Sequence, residues 1–194
     1  MRVIAGAFRG RRLVAPRGRE TRPTSDRVRE SLCMVLEPWT DRRVVDLYAG
    51  AGGLGIEALS RGAAFVDFVE SSRAALEALE HNVAALGVAE RARVWRLSLP
   101  AGLRSLRAAL AAAHVVLLDP PYGGSDARRT LEALAEPGVL GAGTRLALEH
   151  HAKDDVGGAF GSIERVSERA YGETHITFFE VRGSSGPAAG GTET

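Results

Sequence analysis

A chain of 194 residues, 45% of them hydrophobic, can bury one sizeable core, whereas two domains would each be small. Its formal charge of +1 conceals a division: residues 1–43 hold eleven Arg against five Asp or Glu, a balance of +6, which leaves −5 for the remainder. Cys33 is the only cysteine, which excludes a disulfide framework or a cysteine metal cluster within one chain. The lack of an apolar leader, or of a run approaching about 18 apolar residues, predicts a soluble, unprocessed, cytoplasmic protein.

In chain order, Arg2-Val3-Ile4-Ala5 and Arg12-Leu13-Val14-Ala15 flank the glycine-bounded turn Gly6-Ala7-Phe8-Arg9-Gly10 and predict an arginine-rich hairpin. A loop over Pro16–Pro23 leads to Thr24, Ser25 or Asp26 as the cap of a helix with apolar positions Val28, Leu32, Val35 and Leu36. From Val44 onward, short apolar strands alternate with helical segments, the pattern of a mostly parallel α/β sheet. Strands are expected near 43–48, 64–69, 92–97, 114–119 and 144–149, with helices near 53–61, 72–86, 100–112 and 126–135. Ile163–Ala170 and Thr174–Arg182, parted only by Tyr171-Gly172-Glu173, read as an antiparallel pair at the end of the sheet. The expected division is therefore a basic extension over 1–25, an α/β domain over 26–182 and a flexible, apolar-poor tail over 183–194.

The segment Val44-Val45-Asp46-Leu47-Tyr48 runs into Ala49-Gly50-Ala51-Gly52-Gly53-Leu54-Gly55, a glycine turn between strand and helix that lets backbone approach a ligand closely. Gly50, Gly52 and Gly55 have the spacing of a dinucleotide fingerprint, and Glu70 follows Gly50 by 20 residues, where an acid binds ribose hydroxyls. Together with Tyr48 and Ser71 these residues predict a site for an adenosine-containing cofactor. Asp46, four residues before Gly50, suits the cationic methionine end of S-adenosylmethionine better than the diphosphate of a nicotinamide cofactor. It could equally anchor the loop, as Glu70 could cap the next helix.

Asp119-Pro120-Pro121-Tyr122 follows the apolar run His114-Val115-Val116-Leu117-Leu118. It looks like the catalytic tetrapeptide of enzymes that methylate exocyclic amino groups of nucleobases. Such an amine needs acceptors for its two N–H bonds: the Asp119 carboxylate is one, and two prolines form a rigid turn that can aim the Pro120 carbonyl as the other. Tyr122 would stack on the base, with a place in the core as the alternative.

With these parts in order, the chain resembles the bacterial RsmD-like family, guanine-N2 methyltransferases of 16S ribosomal RNA. The resemblance runs over about 1–182. It is carried by Arg2-Val3-Ile4-Ala5-Gly6 with Arg9-Gly10-Arg11, by Thr21-Arg22-Pro23-Thr24-Ser25-Asp26-Arg27-Val28-Arg29-Glu30, by Asp46 through Gly62, and by Tyr171-Gly172-Glu173-Thr174. It implies a Rossmann-like class I methyltransferase sheet, mostly parallel with an antiparallel C-terminal strand, preceded by a β-hairpin extension. It implies S-adenosylmethionine as cofactor and the small ribosomal subunit or its assembly intermediate as substrate. A monomer with neither metal nor membrane is the expectation beside it, the last two from the residues themselves. One position departs from the class pattern: where an acid after the third strand contacts the adenine amino group, this chain has Ser98, so Ser98 or the backbone of Leu97–Leu99 would take that contact.

Lys153 is the only lysine, so positive charge is almost wholly guanidinium, suited to phosphate and base stacking. Arg9, Arg11, Arg22, Thr24, Arg27 and Arg29 are the candidate RNA contacts, with Arg12, Arg17 and Arg19 adding charge. His150-His151 are adjacent on a predicted strand and so point to opposite faces, which argues against a metal site. A methyltransferase acting on DNA adenine or cytosine or on a protein amide, and a non-catalytic RNA-binding assembly factor, remain alternatives from the sequence.

Overall fold

The computed structural model describes residues 1–16 and 26–183. Eight strands form one sheet in the order β3-β2-β1-β4-β5-β8-β7-β6. The parallel part comprises β1 (Arg43–Leu47), β2 (Phe65–Glu70), β3 (Ala92–Arg96), β4 (Val115–Leu118) and β5 (Arg145–His151), and β8 (Thr174–Val181) adds antiparallel to β5. β7 (Ile163–Tyr171) pairs antiparallel with β8, and the two-residue β6 (Ala159–Phe160), which the sequence did not reveal, closes the order. The central strands are apolar on both faces because helices cover both. Val44, Val66, Leu117 and Ala147 pack toward one side with α1 (Asp26–Val35) and α2 (Gly53–Ser60). Val45, Val69, Leu118 and Leu148 pack toward the other with α4 (Arg107–Ala111) and α5 (Asp126–Leu134).

Helix α3 (Arg73–Ala85) matches its expected span, whereas the segment expected as a helix over 100–112 divides into a 3₁₀ stretch, Ala101–Leu106, and the short α4. Arg145 caps the C-terminal end of α1: its guanidinium donates to the carbonyls of Val35, Leu36 and Glu37, groups that a helix end leaves unpaired.

The N-terminal segment does not form the two regular strands expected of it. Arg2 and Arg12 make a single antiparallel bridge, supported by Val3 N–H to Arg11 O and Leu13 N–H to Met1 O, both 3.0 Å. The ladder stops there because Ile4 and Ala5 donate their N–H groups to the Glu57 carboxylate of α2, at 2.8 and 2.9 Å. Val3 and Leu13 are buried in the same core cluster as α1 and α2, so residues 1–16 share the main core. Gly6 makes the docking possible: its φ is +80°, and a Cβ there would lie 1.9 Å from the Ser60 carbonyl oxygen.

Candidate active site

The switch point of the sheet lies between β1 and β4, whose connections leave in opposite directions, and ligands of such sheets bind beyond the carboxyl ends of strands there. A cleft of about 670 Å³ opens at that place, lined among others by Tyr48, Gly50, Glu70, Ser98, Asp119 and Tyr122. One cleft thus contains Tyr48 and Gly50 of the glycine turn and the Asp119 motif, 69 to 74 positions apart in the chain.

Local geometry explains the glycine turn. Gly52, at φ +86°, sits at the start of α2, where a Cβ would meet Leu79 Cδ1 at 2.5 Å; at Gly55 it would meet Phe68 Cε1 at 2.3 Å and Asp46 Oδ2 at 2.9 Å. The turn is therefore packed closely against α3, and the first turn of α2 against β1 and β2. Tyr48 adopts φ +62°, a left-handed conformation that is costly for a bulky residue. Its hydroxyl is held 2.7 Å from Thr130 Oγ1 of α5.

Asp46 is 1% exposed; its Oδ2 accepts the Gly55 N–H at 2.9 Å, while Oδ1 is buried without a hydrogen-bond partner. Burial pushes its carboxyl up from the usual 3.8 to about 7, against the Gly55 hydrogen bond and with help from Glu70. Asp46 does anchor the loop, and the orphaned oxygen leaves it able to accept a further donor. Glu70 also makes two sets of local bonds, with Oε2 accepting Gly50 N–H at 2.8 Å and Oε1 accepting Ser71 and Ser72 N–H, both at 2.7 Å. It joins the turn to the start of α3 while still lining the cleft, where the position left on Oε2 can accept a hydroxyl donor. Leu97, Ser98 and Leu99 form an adjoining wall, and Ser71 and Ser72 lie beside Glu70.

Asp119 and Pro120 follow β4 directly and line the cleft. Tyr122 is 40% exposed, so it is not a core aromatic, but neither is it free: its hydroxyl donates to Glu149 Oε1 at 2.9 Å and its ring meets His151 edge-on at 6.0 Å. Burial of the hydroxyl, then the Glu149 carboxylate, raise the Tyr122 pKa, and a hydrogen bond with Thr174 opposes them. The sequence reading missed Glu149, a 3% exposed acid in the apolar strand Arg145-Leu146-Ala147-Leu148. It also missed Asp126 and Ser72, further members of the cleft wall. An acid interrupting a buried strand was the available signal for Glu149.

The candidate RNA residues separate. Arg9, Arg11 and Arg27 are exposed; Arg11 spends one nitrogen on the Ala85 carbonyl at the end of α3, at 3.0 Å. Arg27 lies 5.9 Å from the centre of the Tyr171 ring, whose hydroxyl bonds Ser31 on α1. Arg29 is a correction: it is 1% exposed, donates to Asp26 Oδ1 and to the Arg2 carbonyl, and lies 3.9 Å from Glu57. A guanidinium enclosed this way braces the N-terminal segment and cannot reach a phosphate. Arg22 and Thr24 fall outside the described residues, as do Arg17 and Arg19 and the tail beyond 183.

His150 is buried with Nε2 2.9 Å from Thr177 Oγ1, and His151 faces Tyr122. Among the described residues, no three His, Cys, Asp or Glu side chains converge as metal ligands would, and no helix is long and apolar enough to cross a membrane.

A family model described as "Conserved hypothetical protein 95" matches residues 1–180. "Putative rRNA methyltransferase YlbH" of Bacillus subtilis is 33% identical over 184 residues, covering 94% of this chain and 100% of that protein. "Ribosomal RNA small subunit methyltransferase D" of Escherichia coli K12 is 39% identical over 142 residues, 72% of this chain and 69% of the relative. The solved structure of "Putative methyltransferase yhhF from Escherichia coli" superposes with a TM-score of 0.81 at 30% identity, covering 94% of this chain and 98% of that one.

Proposed function

We propose, on the premise that the chain belongs to the RsmD-like family, that it transfers a methyl group from S-adenosylmethionine to the exocyclic N2 of a guanine in small-subunit ribosomal RNA. The observation that carries this reading is the single cleft that joins the glycine turn and Glu70 to Asp119, Pro120 and Tyr122. The donor set fits the cofactor. Glu70 can accept a ribose hydroxyl, the wall of Leu97–Leu99 can hold adenine, and the orphaned Asp46 Oδ1 offers an acceptor for the cationic methionine end.

When bound, the cofactor supplies a methyl group already activated on a sulfonium. The work left to the chain is positioning. The Asp119 carboxylate and the Pro120 carbonyl accept the two N–H bonds of the amine and so aim its nitrogen. Tyr122 provides a face on which an unstacked base can lie. The amine becomes acidic only as it is alkylated, so Asp119 serves first as an orienting acceptor and takes the proton late.

Transfer of labelled methyl to unmodified small ribosomal subunits, followed by nucleoside mass spectrometry, tests the reading. N2-methylguanosine is expected, and Asp119→Ala should lower the rate by about a hundredfold or more while cofactor binding persists. A methylated adenine or cytosine, no methylated nucleoside at all, or near wild-type turnover by Asp119→Ala would reject it.

A further inference from the structure

We infer that Glu149 is the residue that selects guanine, by accepting the ring N1–H of the target base beside the amino group held by Asp119. The inference rests on the guanine-N2 reading above and names the residue that would confer it.

Strand register supplies the geometry. Leu118 of β4 is paired with Leu148 of β5, so Asp119 and Glu149 stand side by side one step beyond the last paired position. Successive side chains alternate between faces. Leu118 and Leu148 belong to one core cluster, and Leu117 and Ala147 to the other, which places Asp119 and Glu149 on the same face. Neighbouring parallel strands run about 4.8 Å apart, so two carboxylates there can address adjacent atoms of one base edge. Both line the cleft, together with Pro120 and Tyr122.

The Tyr122 hydroxyl donates to Glu149 Oε1 at 2.9 Å, which ties the acid to the aromatic proposed to carry the base. A carboxylate has roughly four acceptor positions, so an acid that accepts from a neighbouring hydroxyl can accept from a base as well.

The chemistry then discriminates. Guanine presents the N1–H and the N2 amino group as adjacent donors. Adenine and cytosine place a ring-nitrogen acceptor beside their amino groups, and a carboxylate facing that lone pair is repelled. Two acid side chains in a row therefore fit guanine and oppose the other two amines.

The test uses small-subunit RNA in which the target guanine, located by oligonucleotide mass spectrometry of the methylated RNA, is replaced by 2-aminopurine, a base that keeps the 2-amino group but lacks N1–H, and compares kcat/KM for the two substrates. The difference in reactivity between the two amines is common to every enzyme variant, so a change in the guanine to 2-aminopurine ratio reports on the protein. Glu149→Gln should lower that ratio about tenfold or more, the scale of one hydrogen bond to a charged acceptor, because the amide can still accept from Tyr122. Tyr122→Phe, which removes the donor to Glu149 and keeps the acid, should leave the ratio within about twofold while reducing kcat. An unchanged ratio in Glu149→Gln, or an equal fall in Tyr122→Phe, would overturn the inference while leaving the proposed reaction standing. Failure of the unmutated protein to methylate guanine would instead overturn the proposed reaction and this inference with it.

Discussion

Asp46 shows how much one buried oxygen can set. Its folded-state carboxyl titrates near 7 against a usual 3.8, so the folded protein holds a proton that the unfolded chain gives up. Stability from this group is therefore complete below about pH 4 and lost as pH rises through about 7, on the order of a few kcal/mol. Denaturant unfolding of the ligand-free protein at pH 5 and pH 8 should show that decline, and Asp46→Asn should flatten it. Cofactor affinity should run the other way, rising over the same interval, because a cationic methionine end favours the ionised acid; calorimetric titration checks this. At this scale the sequence conveyed residue types but not partners. The hydroxyl of Tyr122 is bound to Glu149, which local sequence could not show because the pair is 27 residues apart. Arg29 was misplaced although a signal existed: it precedes Cys33 and Leu36 at helical spacing and so shares their buried face.

Among the elements, α2 has the most consequential environment. Its start borders the glycine turn, and its Glu57, wholly buried, accepts the N–H groups of Ile4 and Ala5 and pairs with Arg61 at 3.1 Å. Asn82 of α3 acts in the same way, since its side chain bonds both backbone groups of Val14 and the Ala51 carbonyl of the turn. The N-terminal segment is thus stapled by side chains, with little sheet pairing of its own. Removing one member of such a buried set exposes uncompensated charge and N–H groups. Glu57→Ala should cost about 3–5 kcal/mol and lower Tm by roughly 10 °C in a thermal melt. Element order and most strand bounds were legible because β1, β2, β4 and β5 are apolar runs separated by turn residues. The N-terminal hairpin was overestimated because Ile4 and Ala5 have β-compatible composition, and composition does not say that Glu57, more than fifty residues away, takes their N–H groups.

For the whole molecule, the basic head and mildly acidic body make a charge division whose head bears exposed Arg9, Arg11 and Arg12. If these meet phosphates, RNA affinity should fall steeply with salt. Arg9→Ala with Arg11→Ala should reduce the slope of log K against log salt by about one unit per arginine, measured by filter binding from low to moderate salt. Arg29→Ala should leave that slope unaltered, since its guanidinium is enclosed. By itself the sequence determined the α/β class, the order of the main strands and helices from Val44 onward save β6 and the divided 100–112 segment, the glycine turn with Glu70, and the Asp119-Pro120-Pro121-Tyr122 motif. Each is a local signal, written in periodicity, turn chemistry or short spacing. Only the tertiary structure decided that the turn and the motif share one cleft, that Glu149 stands beside Asp119, that Arg29 faces inward and that residues 1–16 join the main core. Those are relations between distant segments, set by sheet register and by which buried polar groups must satisfy one another.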